Sequence, residues 1–155
     1  MQRVLITFLP VLAVMIFFPS NYAAAQSGFG VRAGVGADPA QFHLGAHYVS
    51  DPLIGELTFR PNFEIGFGND VTATTLNFEF AYRIPIRKTD VSAYIGAGPA
   101  LVVRRFSEDR GRGTDTGGGF NILLGLEHSK GLFGELKVGA MDSPDIKFTL
   151  GYTFR

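Results

Sequence analysis

Residues 146–155 read IKFTLGYTFR and alternate without a break. Ile146, Phe148, Leu150, Tyr152 and Phe154 fall on one parity, and Lys147, Thr149, Gly151, Thr153 and Arg155 on the other. A helix would scatter these two sets around its circumference, whereas a strand sends successive side chains to opposite faces. The segment is therefore an amphipathic strand, and it does not stand alone. Alternating runs fall near 28–36, 40–49, 54–68, 71–86, 91–106, 118–128, 131–141 and 145–154. Between them lie GADP, SDPL, GND, RKTD, SEDRGRGTDTG, SKG and DSPD, all built from turn-forming residues. Eight strands in tandem close a common up-and-down barrel. The expected fold is all-β, an eight-stranded antiparallel barrel in one domain spanning 26–155.

Residues 1–25 have a different character. Arg3 precedes an apolar run over 4–18, and Ala23-Ala24-Ala25 supplies an A-x-A cleavage site, so a cleaved export signal is expected. The run is short for a spanning helix and contains Pro10. The chain has no Cys, which excludes disulfides, thiol catalysis and a lipoprotein anchor after the cleavage site. Without Arg3, 13 basic residues face 14 acidic ones for a net charge of −1, and no nucleic-acid partner is indicated. No later apolar stretch is long enough for a spanning helix, so membrane insertion would have to be by strands.

The third and fourth strands define the two faces most clearly. Leu57, Phe59, Phe63, Ile65 and Phe67 oppose Glu56, Arg60 and Glu64; Leu76, Phe78, Phe80, Tyr82 and Ile84 oppose Asn77, Glu79 and Arg83. A hairpin turning at Asn69-Asp70 places Arg60 opposite Glu79, Glu56 opposite Arg83 and Phe59 opposite Phe80. Elsewhere the polar parity carries Arg32, Glu127, Glu135, Lys137 and Lys147. Together these ten charged residues form an expected lumen network.

Orientation follows from what each face can fill. An eight-stranded barrel has an interior just wide enough for side chains or one small ligand. Glycines and charges of both signs can fill it as a paired network, while unpaired buried charge would cost several kcal/mol each by the usual desolvation scale, about that order. Reversed, most of the phenylalanines would crowd a narrow core beneath an exterior of Gly and charge. Tyr48, Tyr82 and Tyr152 lie on the apolar face near the ends of the even-numbered strands, joined by Phe154, and fit an interfacial aromatic girdle. With a periplasmic N-terminus, that girdle is periplasmic and the 107–117 loop faces outside the cell.

The export signal, the eight alternating strands and the series Ile146-x-Phe148-x-Leu150-x-Tyr152-x-Phe154 together resemble the small outer-membrane β-barrel family, which includes the OmpA membrane domain, OmpX-like and opacity-like proteins. The resemblance covers the whole of 26–155. It implies a transmembrane barrel in the bacterial outer membrane, surrounded by outer-membrane lipid, whose last strand is read by the barrel-assembly machinery. It implies no cofactor and no metal. The family usually ends in an aromatic residue, and here Arg155 follows Phe154. No peptidoglycan-binding domain is expected after the barrel. Its members serve in adhesion, immune evasion, envelope stability and enzymology, so the fold leaves the role open.

The candidate chemistry is sparse. His43 and His47 share the polar face but sit four residues apart on a strand, about 13 Å, too far to share one metal ion. They are expected to be hydrogen-bonded lumen residues, with His43 near Arg32. Glu127-His128-Ser129 brings together the residue types of the lipid A deacylases, which are small outer-membrane barrels. Adjacent strand residues point to opposite sides, however, and that family spaces its His and Ser by one residue. GVGADP and RGRGTDTGGG lack the Lys and following helix of a phosphate-binding loop. Arg105, Arg110 and Arg112, with Arg104 nearby, are candidate contacts to lipopolysaccharide phosphates, beside the plainer reading of a solvated, charge-balanced loop. The leading reading is a non-enzymatic envelope or surface-interaction barrel with a plugged lumen. A lipid A-modifying enzyme and a soluble periplasmic ligand-binding barrel are the alternatives.

Overall fold

The computed structural model describes residues 27–37, 40–107 and 113–155. Eight strands form one closed antiparallel barrel: β1 (Gly28–Ala37), β2 (Gln41–Val49), β3 (Leu57–Gly68), β4 (Val71–Pro85), β5 (Val91–Phe106), β6 (Gly113–His128), β7 (Leu132–Met141) and β8 (Ile146–Thr153). Each strand pairs with its sequence neighbours, and β8 closes on β1 with Gly30 opposite Thr153 and Ala37 opposite Ile146. Closure leaves no long sheet edge at the seam. The fold matches the eight-stranded up-and-down barrel that the alternation predicts. The export signal at 1–25 lies outside the described residues.

The turns follow from local chemistry. Gly68 pairs with Val71 across the two-residue turn Asn69-Asp70, and Asp70 takes the left-handed conformation at φ 63°, which a short polar side chain tolerates. This turn sets the β3–β4 register, with Arg60 opposite Glu79 and Phe59 opposite Phe80. The Phe59 and Phe80 rings lie 4.9 Å apart on the outer face.

Two boundaries differ from the sequence reading by more than one residue. The third strand begins at Leu57 rather than at residue 54, because Gly55 turns back at φ 60° and Ile54 bridges to Leu57. The sixth begins at Gly113, inside the expected 107–117 loop: Phe106 pairs with Gly113 and Val102 with Gly117. Gly and Asp are weak strand formers there, but β5 supplies a ready-made partner edge and tertiary pairing overrides propensity. Residues 108–112 of that loop, including Arg110 and Arg112, lie outside the described residues.

Burial is inverted relative to a soluble protein. Phe29 is 72% exposed and Leu132 61%, while Lys137 is fully buried and Glu79 is 1% exposed. The apolar parity of every strand faces outward and the polar parity inward. The interior carries no large apolar core; Tyr94, Leu123 and Ala81 form its one fully buried apolar cluster among the described residues.

We call the end where β1 begins and β8 finishes the proximal rim, and the opposite end the distal rim. Tyr48, Tyr82 and Tyr152 lie toward the proximal rim. Phe29 stacks 4.8 Å from Tyr48, and Tyr152 lies 5.2 Å from Phe154.

Candidate functional site

The lumen is the only place where polar chemistry concentrates away from solvent among the described residues, and it is built by strand parity. Inward positions of β3, β4, β6 and β7 deliver Arg60, Glu64, Glu79, Asn121, Glu127, Glu135 and Lys137 to one column of side chains. At its centre the Lys137 ammonium lies 2.7 Å from Glu79, 3.6 Å from Glu135 and 3.8 Å from Glu64. Three carboxylates around one cation would repel one another, and two further cations offset this. Arg32 donates to Glu135 at 2.9 Å and to Glu64 at 3.3 Å, and Lys147 donates to Glu64.

Neutral groups extend the hub and bond most of its polar atoms, leaving Arg32 Nε and Asn121 Oδ1 buried without a partner. The Tyr94 hydroxyl donates to Glu135 Oε2 at 2.9 Å. Asn62 and Asn121 donate to opposite oxygens of Glu79 at 2.7 and 3.1 Å, and Asn77 donates to Asn62 at 2.7 Å while accepting from Asn121 at 2.8 Å. Such satisfaction matters because a buried ion pair offsets its own desolvation only when its remaining polar atoms are also bonded.

Nearer the proximal rim a second set forms around Glu127. Arg60 donates to Glu127 Oε2 at 3.0 Å and Arg155 to the same oxygen at 3.2 Å. The Arg60 guanidinium also lies 4.1 Å from the Tyr94 ring centroid, so the aromatic face helps hold the cation. Arg83 pairs with Glu56 at 2.8 Å just below the rim. The residue that follows the last aromatic is therefore drawn back into the barrel mouth.

All ten sequence-predicted lumen charges point inward and carry ion pairs, but not always with the expected partner. Glu56 and Arg83 pair as their register suggests. Arg60 sits opposite Glu79 yet pairs with Glu127, and Glu79 turns to Lys137. Two neighbours on one face can both lean across an eight-stranded lumen, where a partner on a far strand is as close as one alongside. His43 likewise bonds Thr149 at 3.0 Å rather than Arg32, because β1 places Gly45, not His43, opposite Arg32. His47 bonds Thr153 at 2.9 Å.

Sequence reading missed Tyr94, Phe133 and Leu123, three bulky residues on the inward parity. The signal was available: Tyr94 shares parity with Gly96 and Gly98, and the ring lies over Gly125, where an added Cβ would come 2.2 Å from Tyr94 Cζ. Phe133 packs edge-on to His47 at 5.0 Å and lies 5.5 Å from the Arg32 guanidinium. The central void that these side chains leave is about 10 Å³, bordered by Arg32, His47, Arg60, Glu79 and Glu135. That is close to the space of a single water.

Glu127, His128 and Ser129 do not converge. Glu127 is held by the two arginines, and His128 Nδ1 accepts the Lys130 amide at 3.1 Å. Arg104 faces inward near the distal rim, where it donates to the Asp142 carboxylate at 3.4 Å and to its carbonyl. Arg105 is exposed on the outer side of β5, opposite Thr72 and Thr114. No group of three or more metal-ligating side chains exists among the described residues.

No protein-family model matches the sequence, and no curated protein matches it significantly. Solved structures do. The N-terminal β-barrel domain of Pseudomonas aeruginosa OprF superposes with a TM-score of 0.63 at 13% identity, over 85% of this chain and 100% of that one. Neisserial surface protein A gives 0.63 at 12% identity, over 82% of this chain and 92% of that one. The likeness establishes the fold: an eight-stranded barrel of the kind those two proteins have.

Proposed function

We propose that this chain is a small outer-membrane β-barrel, with a polar lumen plugged by its own charges and a non-enzymatic role at the envelope or cell surface. The observation that carries the reading is the inversion of burial. A belt of Phe, Leu, Ile and Val faces outward all round a closed barrel while Lys137, Glu64 and Glu79 are buried inside it. In water that belt would be an exposed apolar surface far larger than a monomer normally shows. In hydrocarbon it is the favourable surface, and a closed barrel satisfies every strand's backbone without water.

The sequence-level export signal and the two barrels of known structure support the same location. In this reading the proximal rim is periplasmic, with Tyr48, Tyr82, Tyr152 and Phe154 as its aromatic girdle, and β8 is the strand presented to the barrel-assembly machinery. The distal rim faces outward, where Arg105 near the end of β5 meets lipopolysaccharide phosphates, with Arg110 and Arg112 following it in sequence as further candidates. Fractionation tests the reading: the protein is expected in the outer membrane, with faster gel migration unheated than boiled, and with the chain between β5 and β6 cut by protease added to whole cells. Recovery in the soluble periplasm without detergent would overturn it.

A further inference from the structure

A second opening lies not in the lumen centre but at the proximal rim. A vestibule of about 210 Å³ lies between the β4–β5 turn, the end of β6 and Arg155. On the scale by which about 10–15 Å³ holds one water, it has room for roughly fifteen waters, enough for a small polar headgroup.

Its wall carries two opposed kinds of chemistry. Arg87 and Lys88 project from the β4–β5 turn with no carboxylate partner among the described residues, and the turn holds Lys88 in the left-handed conformation at φ 62°. A non-glycine residue is seldom held there, so the turn sets the direction in which its side chain leaves the backbone. The Ser92 and Ser129 hydroxyls and His128 add donors beside these cations. Because His128 Nδ1 accepts the Lys130 amide, the neutral ring carries its proton on Nε2. This half of the wall suits a phosphate.

The other half wants a donor. Glu127 is 4% exposed, and while its Oε2 takes both Arg60 and Arg155, its Oε1 is buried without a partner. A buried carboxylate oxygen left unbonded is costly and asks for an N–H or O–H. Asp90 adds a second negative charge at the same mouth. A simple anion would meet the cations but leave Glu127 unanswered. A zwitterion with a phosphate and a primary ammonium a few bonds apart answers both. Ile86 and Val91 line the vestibule and continue into the outward apolar face, so a headgroup seated there could keep its acyl chains in the belt.

From this juxtaposition we propose that the proximal vestibule binds a phosphoethanolamine-type group, its phosphate on Arg87 and Lys88 and its ammonium on Glu127. A phospholipid source rests on the membrane reading above; a soluble source does not. The test uses folded full-length mature protein, with folding checked by heat-modifiable migration. Protein in nanodiscs of equal phosphatidylethanolamine and phosphatidylglycerol is analysed by native mass spectrometry for retained lipid. In parallel, glycerophosphoethanolamine is titrated into protein in maltoside micelles, with the backbone amides of Lys88, Ser92 and Ser129 followed by NMR.

Retained phosphatidylethanolamine in excess over phosphatidylglycerol supports the lipid source; shifts at those amides with the soluble compound support the soluble source. In either arm Arg87→Gln/Lys88→Gln is expected to weaken binding about tenfold, the scale of one lost charge-assisted contact set. Glu127→Gln is expected to remove the preference for the ammonium compound over its glycerol counterpart. Absence of both signals in the wild type, or signals unchanged in the double variant, overturns the proposal. Failure of fractionation while the soluble arm succeeds would remove the membrane reading and leave the site.

Discussion

In the middle of the lumen one ammonium, Lys137, is ringed by Glu79, Glu135 and Glu64, whereas beneath the distal rim the neutral Gln41 and Ser143 lie over glycines beside a single, partly exposed Arg104–Asp142 pair. A Cβ on Gly66 would come 2.2 Å from Gln41 Oε1, and one on Gly119 would come 2.1 Å from Ser143 Oγ. Both of those oxygens are buried without a hydrogen-bond partner, as are Arg32 Nε and Asn121 Oδ1 in the central network. The centre is closed by charge, with each partner determining the next; the distal end is closed by shape, with polar atoms that have slack to move. Electrostatic closure is strong but brittle, because removing one member strands the others. Closure by shape is weaker and more adaptable.

The comparison can be broken most severely at Lys137. Lys137→Met leaves three buried carboxylates around an apolar side chain and is expected to cost about 3–5 kcal/mol, read by urea unfolding in lipid vesicles. Adding Glu79→Gln to that variant should recover part of the loss, since one of the stranded charges is gone. A stability equal to wild type for Lys137→Met alone would mean the hub is hydrated rather than closed.

Two glycine substitutions sharpen the contrast at an intermediate scale. Gly125→Ala drives a methyl into the fully buried Tyr94 ring, which is pinned by Glu135 and Arg60, and about 1–3 kcal/mol is expected to be lost. Gly66→Ala meets only the end of a Gln41 side chain, which can swing aside, so a loss below about 1 kcal/mol is expected by the same overpacking scale. Equal losses in the same unfolding assay would erase the distinction between the two closures.

Effects well below those at Lys137 and Gly125 are expected for the rim charges. Arg155→Ala removes one of two arginines from Glu127, and because Arg60 remains, a loss of about 1 kcal/mol is expected. Arg104→Ala loses a pair with Asp142, whose side chain is 40% exposed, and a change within about 0.5 kcal/mol is expected from solvent-screened pairs. Thermal loss of the fast-migrating gel form orders these variants against the central ones.

Much of this architecture is legible from the chain. The number of strands, their two faces and the β3–β4 register come from period-2 alternation and a two-residue turn, both of which act over a few residues. The β6 start was not legible, because 113–117 looks like a loop until β5 lies alongside it. Tyr94 carried a readable parity, but nothing local shows that its hydroxyl would reach Glu135, 41 residues on.

The sequence by itself determined which residues share a face and that this face must hold balanced charge. Only the closed barrel decided who pairs with whom. Arg60 meets Glu127 across 67 residues, and Lys147 meets Glu64 across 83, because closure brings strands from opposite sides of the sheet within a side chain's reach. Alternation is a property of each strand alone, whereas distance across a lumen depends on how all eight strands tilt and stagger together. That same geometry turns Arg155, an odd residue after the final aromatic, into a buried partner of Glu127.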